Sequence, residues 1–143
     1  MFSVFSITLR MGVATILSGL IGLERQWRGR NAGLRTHILV SVGSCLIMLT
    51  SLYVFDIYKD KVALDPTRIA AGVITGIGFL GAGAIMRNNA GVQGLTTAAI
   101  LWVVSGIGLA VGCGFYSGGI IATIFTLMAL FFLRYLETRV FGR

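Results

Sequence analysis

The chain has only five carboxylates with which it could bind a cation or move a proton: Glu24, Asp56, Asp60, Asp65 and Glu137. Mg²⁺ takes oxygen ligands in proteins, usually one or two carboxylates together with retained water. The helices derived below place the two glutamates at one end of the molecule and the aspartates at the other, with no acid at mid-depth. A net charge of +7 also repels divalent cations. The acids therefore argue mildly against an acid-lined Mg²⁺ pore. Hydroxyls such as those of Thr75, Thr96 and Thr97 could still line an ion path, so Mg²⁺ binding is left open.

A glycine pattern raises a second kind of chemistry. Gly76-x-Gly78-x-x-Gly81 has the spacing of a dinucleotide-binding turn. That turn requires a preceding strand and an acidic residue about 20 positions further on, and no acid occurs between Asp65 and Glu137. We expect no nucleotide, no nucleic acid and no other cofactor to bind. Since no nucleophile with a neighbouring base is visible, we also expect no enzyme activity.

Composition predicts the elements that position these residues. Hydrophobic residues make up 56% of the 143 residues and charged residues 12%, about half the charged share of a soluble domain. Continuous apolar runs without alternation predict helices and not a barrel. We predict an all-α membrane protein with one transmembrane domain over residues 1–143 and no soluble domain at its C-terminus. Its five helices are expected at about 4–23, 36–55, 68–86, 95–111 and 117–133.

The loop charges predict the orientation. Eight of the 12 basic residues fall in the loops after helices 1 and 3 and in the C-terminal tail. Cytoplasmic loops carry the excess of Lys and Arg, so the N-terminus is expected outside and the C-terminus inside. Similar stretches at 19–36 and 78–97 also suggest a parallel repeat of helices 1–2 and 3–4, with chance resemblance as the alternative.

Small residues on helix 3 predict close helix packing. Glycine and alanine let helices approach each other in lipid, where Leu-rich surfaces gain nothing over the lipid itself. We expect helix 3 to be the packing centre, with a glycine-lined ion path as the alternative. The residues concerned are Gly72, Gly76, Gly78, Gly81 and Gly83.

Arg10, Asp65 and Arg68 are expected at similar depth near the outer surface. A carboxylate between two guanidiniums would offset the cost of an Arg in lipid, so we predict one charged cluster. Two alternatives are that Asp65 caps helix 3 ahead of Pro66, and that Arg10 extends to the outer surface.

A second polar group lies where helix 1 ends and helix 2 begins. It comprises Glu24, Arg25, Arg35, Thr36 and His37. Histidine titrates near neutral pH, so pH sensing and plain hydrogen bonding are both open for His37. The arginines suit either anionic lipid headgroups or a docking protein.

Three stretches of the sequence resemble the MgtC/SapB family of bacterial inner-membrane proteins, and they cover about residues 10–133. They are "GLIGLERQWRGRNAGLRTHILVSVGS", "DPTRIAAGVITGIGFLGAGAIMR" and "GLTTAAILWVVSGIGLAVG". Carried over by position, the residues marked by the resemblance are Glu24, Arg25, Gly33, Leu34, Arg35, Thr36, His37, Asp65, Pro66, Arg68, Gly76, Gly81, Gly83, Gly94, Leu95, Thr97 and Ala98. Gln93 departs from the family pattern, in which an Arg is common at that position.

The resemblance implies a multi-pass protein of the bacterial inner membrane associated with magnesium limitation, acid tolerance and intracellular survival. It implies a regulator that contacts a larger membrane complex, the F-type ATP synthase, and does not itself carry magnesium. The alternative is a transporter of Mg²⁺ or another ion. We also expect a homo-oligomer.

Overall fold

The computed structural model describes residues 2–89, 91–133, 135 and 139. Glu137, one of the five acids, lies outside the described residues. The helices are α1 (Val4–Trp27), α2 (Leu34–Tyr58), α3 (Arg68–Ala84), α4 (Leu95–Cys113) and α5 (Tyr116–Met128), and α5 continues as a π-helical segment (Ala129–Leu133). A short antiparallel hairpin, β1 (Met86–Asn88) and β2 (Gly91–Gln93), joins α3 to α4.

Five helices confirm the all-α class of the described residues, and three of them are long and apolar enough to cross a membrane: α1, α2 and α4. The apolar helix α3 has 17 residues, about 25 Å at 1.5 Å per residue, close to the shortest length that spans a bilayer. The fold is that of a helical membrane protein. The orientation of its termini and the internal repeat stay predictions.

The packing centre is α4. Its Gly108 lies against the Ser41 backbone of α2, and a Cβ at Gly108 would stand 2.8 Å from the Ser44 Cβ. One turn later Gly112 meets Cys45, where an added Cβ would lie 2.8 Å from the Cys45 carbonyl oxygen. The main core consists of α1, α2 and α4 residues: Ala14, Ile21, Cys45, Leu49, Ile100, Val104, Ile107 and Val111.

The prediction that helix 3 is the packing centre is therefore wrong within this chain. A Cβ added at Gly72, Gly76, Gly78 or Gly83 would meet nothing within 4 Å, and all four glycines are exposed. Only Gly81 packs, against Ala98 of α4. Small residues permit close approach but do not dictate which face of a helix is covered, and here the covered face of α3 is narrow.

Successive helices run in opposite directions, so the loops lie at two ends of the molecule. We call one the arginine-rich end; it comprises residues 28–33, the β1–β2 hairpin and the end of α5. There the Arg28 guanidinium lies over the Phe131 ring, 5.4 Å from its centroid. The opposite end comprises residues 59–67 and the turn at Gly114. Gly94 must be glycine, because its φ is +90° and a Cβ would overlap the Ala84 carbonyl.

Candidate functional site

The arginine-rich end contains a buried charge cluster. Glu24, in the last turns of α1, is 5% exposed and accepts hydrogen bonds from the Nε atoms of Arg25 and Arg28. Arg25 is itself only 5% exposed. Arg28 reaches Glu24 because residues i and i+4 share one helix face. One carboxylate is thus paired with two guanidiniums, so the cluster has a net positive charge in a poorly hydrated position.

His37 lies beside this cluster on the first turn of α2 and is fully buried. Its Nδ1 is 2.7 Å from the Gly33 carbonyl oxygen, so Nδ1 carries the donated proton. Its Nε2 is buried and has no hydrogen-bond partner in the part of the chain that the structure describes. Gly22 allows the ring this position, because a Cβ there would stand 2.8 Å from the Leu34 Cα and 3.1 Å from the His37 Cβ. The pH-sensing role of His37 stays a prediction.

Within the described residues, the other residues predicted here form no hydrogen bond or ion pair with the cluster. Arg35 and Thr36 follow Leu34 at the start of α2 and are exposed. Thr97 is buried in the first turn of α4. The structure therefore brings together Glu24, Arg25 and His37 and leaves Arg35 and Thr36 facing outward.

The predicted outer cluster of Arg10, Asp65 and Arg68 does not form. Arg10 is 8% exposed, and its guanidinium donates from Nη1 to the Gly112 carbonyl at 2.7 Å, not to Asp65. Its Nε has no hydrogen-bond partner among the described residues. Arg10 is instead drawn to the C-terminal end of α4, where unpaired carbonyls and the helix dipole attract a cation.

The alternative that Asp65 caps helix α3 is wrong, because the N-cap is Thr67 and no side chain caps it. Asp65 instead stabilises the turn that precedes the helix. Its Oδ1 accepts from the Thr67 hydroxyl at 2.6 Å and the Thr67 backbone N–H at 2.8 Å. These hydrogen bonds, together with the nearby positive charge of Arg68, hold the pKa of Asp65 below its usual value. Helix α3 then begins at Arg68. Asp65 and Arg68 are both exposed.

No group of three or more His, Cys, Asp or Glu side chains in the described part of the chain could hold a metal ion. The one buried carboxylate found there, Glu24, is already paired with two arginines. The buried serines and Thr123 do not supply free ligands either, because each donates to a carbonyl. Ser18 donates to Ala14, Ser105 to Trp102, and so on along the helices.

Comparison with known proteins decides the family, since residues 11–139 match the MgtC family. The chain belongs to the MgtC family. It is 51% identical over 124 residues to the protein named "Putative magnesium transporter YhiD" from Escherichia coli (strain K12), covering 85% of the chain and 58% of the relative. It is 45% identical over 136 residues to "Protein MgtC" from Salmonella typhimurium (strain LT2), covering 95% and 56%.

A third relative is "Protein SapB" from Bacillus subtilis (strain 168), 38% identical over 138 residues, with 94% of the chain and 59% of the relative covered. The chain thus spans less than three fifths of the length of these relatives. No solved structure matches it significantly. This member of the MgtC family is therefore a helical membrane protein.

Sequence reasoning missed several structural residues of this MgtC family chain. Arg28 is the second partner of Glu24, and the i, i+4 spacing of the two residues was the available signal. Gly112 is the acceptor for Arg10. The Gly108-x-x-x-Gly112 spacing does indicate close packing, and α2 is the helix that approaches.

Proposed function

We propose that this MgtC family chain is a small regulator in magnesium homeostasis and stress adaptation. It acts through helix–helix contact with a larger complex in the bacterial inner membrane. The observation that carries the proposal is the outward face of α3, which we define as Ala71, Thr75, Gly78 and Ala82. All four residues are exposed, and helical geometry puts them on one side of α3.

The outward face is suited to a partner helix. Its members recur at i, i+4, i+7 and i+11, and all have small side chains, so a second backbone can approach closely. Gly78 has nothing within 4 Å of an added Cβ. Phe79, 83% exposed, stands beside the face and offers a large apolar side chain to a neighbour. Four small side chains offer lipid tails little contact area. A partner helix, by contrast, can approach closely and pack against the backbone of this face.

The charges support regulation over conduction of a cation. Glu24 is occupied by Arg25 and Arg28, and a divalent cation would have to displace both guanidiniums. The other acids in the described residues, Asp56, Asp60 and Asp65, are exposed at the opposite end. A transport path would therefore need carbonyls or hydroxyls alone.

Transport of Mg²⁺ or another ion is the second candidate. It is favoured by the name of the Escherichia coli relative, which is that of a magnesium transporter. It is also favoured by the buried hydroxyls between the helices, among them Ser18, Ser41 and Ser105. Since these hydroxyls donate to backbone carbonyls, a path would have to break those bonds as the ion passes.

The arginine-rich end is proposed to face the cytoplasm and to contact anionic lipids. Trp27 is 84% exposed at the end of α1, as suits an interfacial anchor, and Arg30 and Arg35 are exposed beside it. The larger complex is proposed to be the F-type ATP synthase, as the resemblance implies. A second copy of the chain is the competing partner for the outward face.

Flux in reconstituted vesicles tests the proposal against transport. The purified chain would be incorporated into vesicles that enclose a Mg²⁺-sensitive dye, with protein-free vesicles as the control. The regulator proposal predicts equal dye signals in both after external Mg²⁺ is added. Faster Mg²⁺ entry in the protein-containing vesicles, lost on heat denaturation of the protein, would contradict it and establish transport.

A further inference from the structure

An open groove runs between α2 and α3, on a different side of α3 from the outward face. Its volume is about 600 Å³. The walls are apolar, with Leu39 and Ile47 from α2 and Ile69 and Leu80 from α3. From Ile69 to Leu80 the groove follows α3 for about 16 Å at 1.5 Å per residue. This is the shape of an extended hydrocarbon chain and not of a compact ligand.

Glycines deepen the groove. Gly43 on α2 and Gly72 and Gly76 on α3 line it, and none would have an atom within 4 Å of an added Cβ. Any larger side chain at these positions would fill space that is now open. These three glycines thus keep the groove open for a ligand.

A smaller pocket of about 210 Å³ continues the groove at the opposite end of the molecule. The two cavities share Ile69 as a wall. Asp65 and Arg68 line the small pocket, together with apolar residues that include Phe55 and Leu64. The Ser51 hydroxyl donates to the Pro66 carbonyl and so ties the loop before α3 to α2.

The two charged groups at this pocket are only partly used by the protein. Asp65 accepts two hydrogen bonds from Thr67, both through Oδ1. Among the described residues, neither the second oxygen of Asp65 nor the guanidinium of Arg68 forms a hydrogen bond or an ion pair within 4 Å. The pocket therefore offers a negatively charged hydrogen-bond acceptor, Asp65, and a positively charged hydrogen-bond donor, Arg68, at the mouth of an apolar groove.

We propose that the groove and pocket together bind one molecule of phosphatidylethanolamine. An acyl chain lies in the groove, the phosphate accepts from the Arg68 guanidinium, and the ammonium donates to the Asp65 carboxylate. Arginine suits phosphate because its planar fork presents several N–H donors. The carboxylate suits a primary ammonium because the ammonium carries three donors and no acceptor.

Charge complementarity selects this headgroup over the other common ones. Phosphatidylglycerol has the same phosphate but a neutral glycerol in place of the ammonium, so it offers no cation to Asp65. Phosphatidylcholine has a cation without N–H donors, so it cannot make a charge-assisted hydrogen bond to the carboxylate. The lipid site is independent of the proposed regulatory role, since it uses neither the outward face nor a partner complex.

Native mass spectrometry of the purified, delipidated full chain tests the site. The chain would be mixed with equal amounts of phosphatidylethanolamine, phosphatidylglycerol and phosphatidylcholine that have identical acyl chains, and the bound fraction of each measured. We expect phosphatidylethanolamine to be retained about two- to fivefold more than either competitor, the range of ion pairs open to water. Equal retention of the three lipids, or preference for phosphatidylglycerol, would overturn the proposal.

Variants locate the site. Asp65→Asn keeps an oxygen for the hydrogen bonds from Thr67 but loses the charge, so the preference for phosphatidylethanolamine over phosphatidylglycerol should disappear. Arg68→Gln should lower retention of all three lipids, because all carry the phosphate. Gly76→Leu, which fills the groove, should do the same. The matched controls are Asp56→Asn in the same aspartate region and Gly12→Leu, an exposed helical glycine with equally open space.

Both controls should retain lipids as the unchanged chain does, as should Gly78→Leu on the outward face. Circular dichroism would confirm that each variant is helical before its lipids are measured. If Gly76→Leu fails to fold, the two headgroup variants still decide, since both residues are exposed. An Asp65→Asn chain that keeps its full preference for phosphatidylethanolamine would show that the site is wrong.

Discussion

The guanidinium of Arg10, near the start of α1, donates a 2.7 Å hydrogen bond from Nη1 to the carbonyl oxygen of Gly112, in the last turn of α4. The carbonyls of Ala110 and Val111 in the same turn accept from the backbone N–H groups of Phe115 and Gly114. Arg10 thereby supplies a donor to the Gly112 carbonyl, which has no backbone partner in this turn, and joins α1 to α4 at the opposite end.

Removing this guanidinium should destabilise the chain. Arg10→Met leaves the Gly112 carbonyl without its donor, and we expect a loss of about 1–3 kcal/mol in the free energy of unfolding. Thermal unfolding in detergent, followed by circular dichroism, measures it. Arg10 and Asp65 are not partners, so Arg10→Met and Asp65→Ala should have additive effects. Recovery of stability in the double variant would contradict the Arg10–Gly112 contact.

Two glycines two positions apart on α4 should respond oppositely to alanine. Gly108→Ala drives a Cβ into the Ser41 carbonyl, so we expect about 1–3 kcal/mol of destabilisation from overpacking. Gly106→Ala meets nothing within 4 Å and should be neutral or stabilising by up to about 1 kcal/mol, from helix propensity. Chemical denaturation of the two variants in one detergent compares them directly. Equal effects would refute the packing of α4 on α2.

The charge cluster at the arginine-rich end gives a third prediction. Glu24→Gln removes the carboxylate that two guanidiniums share and leaves Arg25 buried without a counter-charge. Breaking a buried pair in this way costs about 3–5 kcal/mol. Asp56→Asn is the control, because its ion pair with Lys59 is exposed and worth about 1 kcal/mol or less. Melting temperatures that fall equally in both variants would contradict the burial of Glu24.

Acid should remove the stability that the Asp65 carboxylate gains from its hydrogen bonds with Thr67. The folded chain holds the pKa of Asp65 below its usual value, so the ionised carboxylate adds stability at neutral pH. That contribution is lost as the pH falls from the usual aspartate pKa, about 3.9, through the lower folded pKa. The melting temperature of the unchanged chain should therefore fall more steeply below about pH 4 than that of Asp65→Asn. Asp60→Asn, also in the exposed loop, should fall as steeply as the unchanged chain.

The sequence predicted the helices well and their partners poorly. The starts of α3 and α4 at Arg68 and Leu95 agree with the expected bounds, because Pro66 and Gly94 mark them. Helix α1 extends to Trp27, four residues beyond the expected end, because polar residues at an interface can remain helical. The β1–β2 hairpin was missed, since three-residue strands leave too short a pattern to read.

Which side chains meet could be predicted only where one helix supplies both partners. Glu24 and Arg28 are four residues apart on α1, so their pairing is local. Arg10 and Gly112 meet only because α1 and α4 pack side by side, and no spacing in the sequence encodes that. For the same reason, the glycines of α3 did not predict where helices pack closely: among the described residues only Gly81 of the five contacts another helix, and the close approach occurs at Gly108 and Gly112 of α4.

ATP-driven proton pumping by the F-type ATP synthase in inverted inner-membrane vesicles tests the central claim most directly. Vesicles that contain the chain should pump more slowly than vesicles that lack it. Gly78→Leu, which puts a large side chain on the outward face of α3, should restore pumping, whereas the matched Gly12→Leu variant should slow it as the unchanged chain does. Equal pumping with and without the chain, or a Gly78→Leu variant that slows pumping fully, would contradict a regulator that acts through this face.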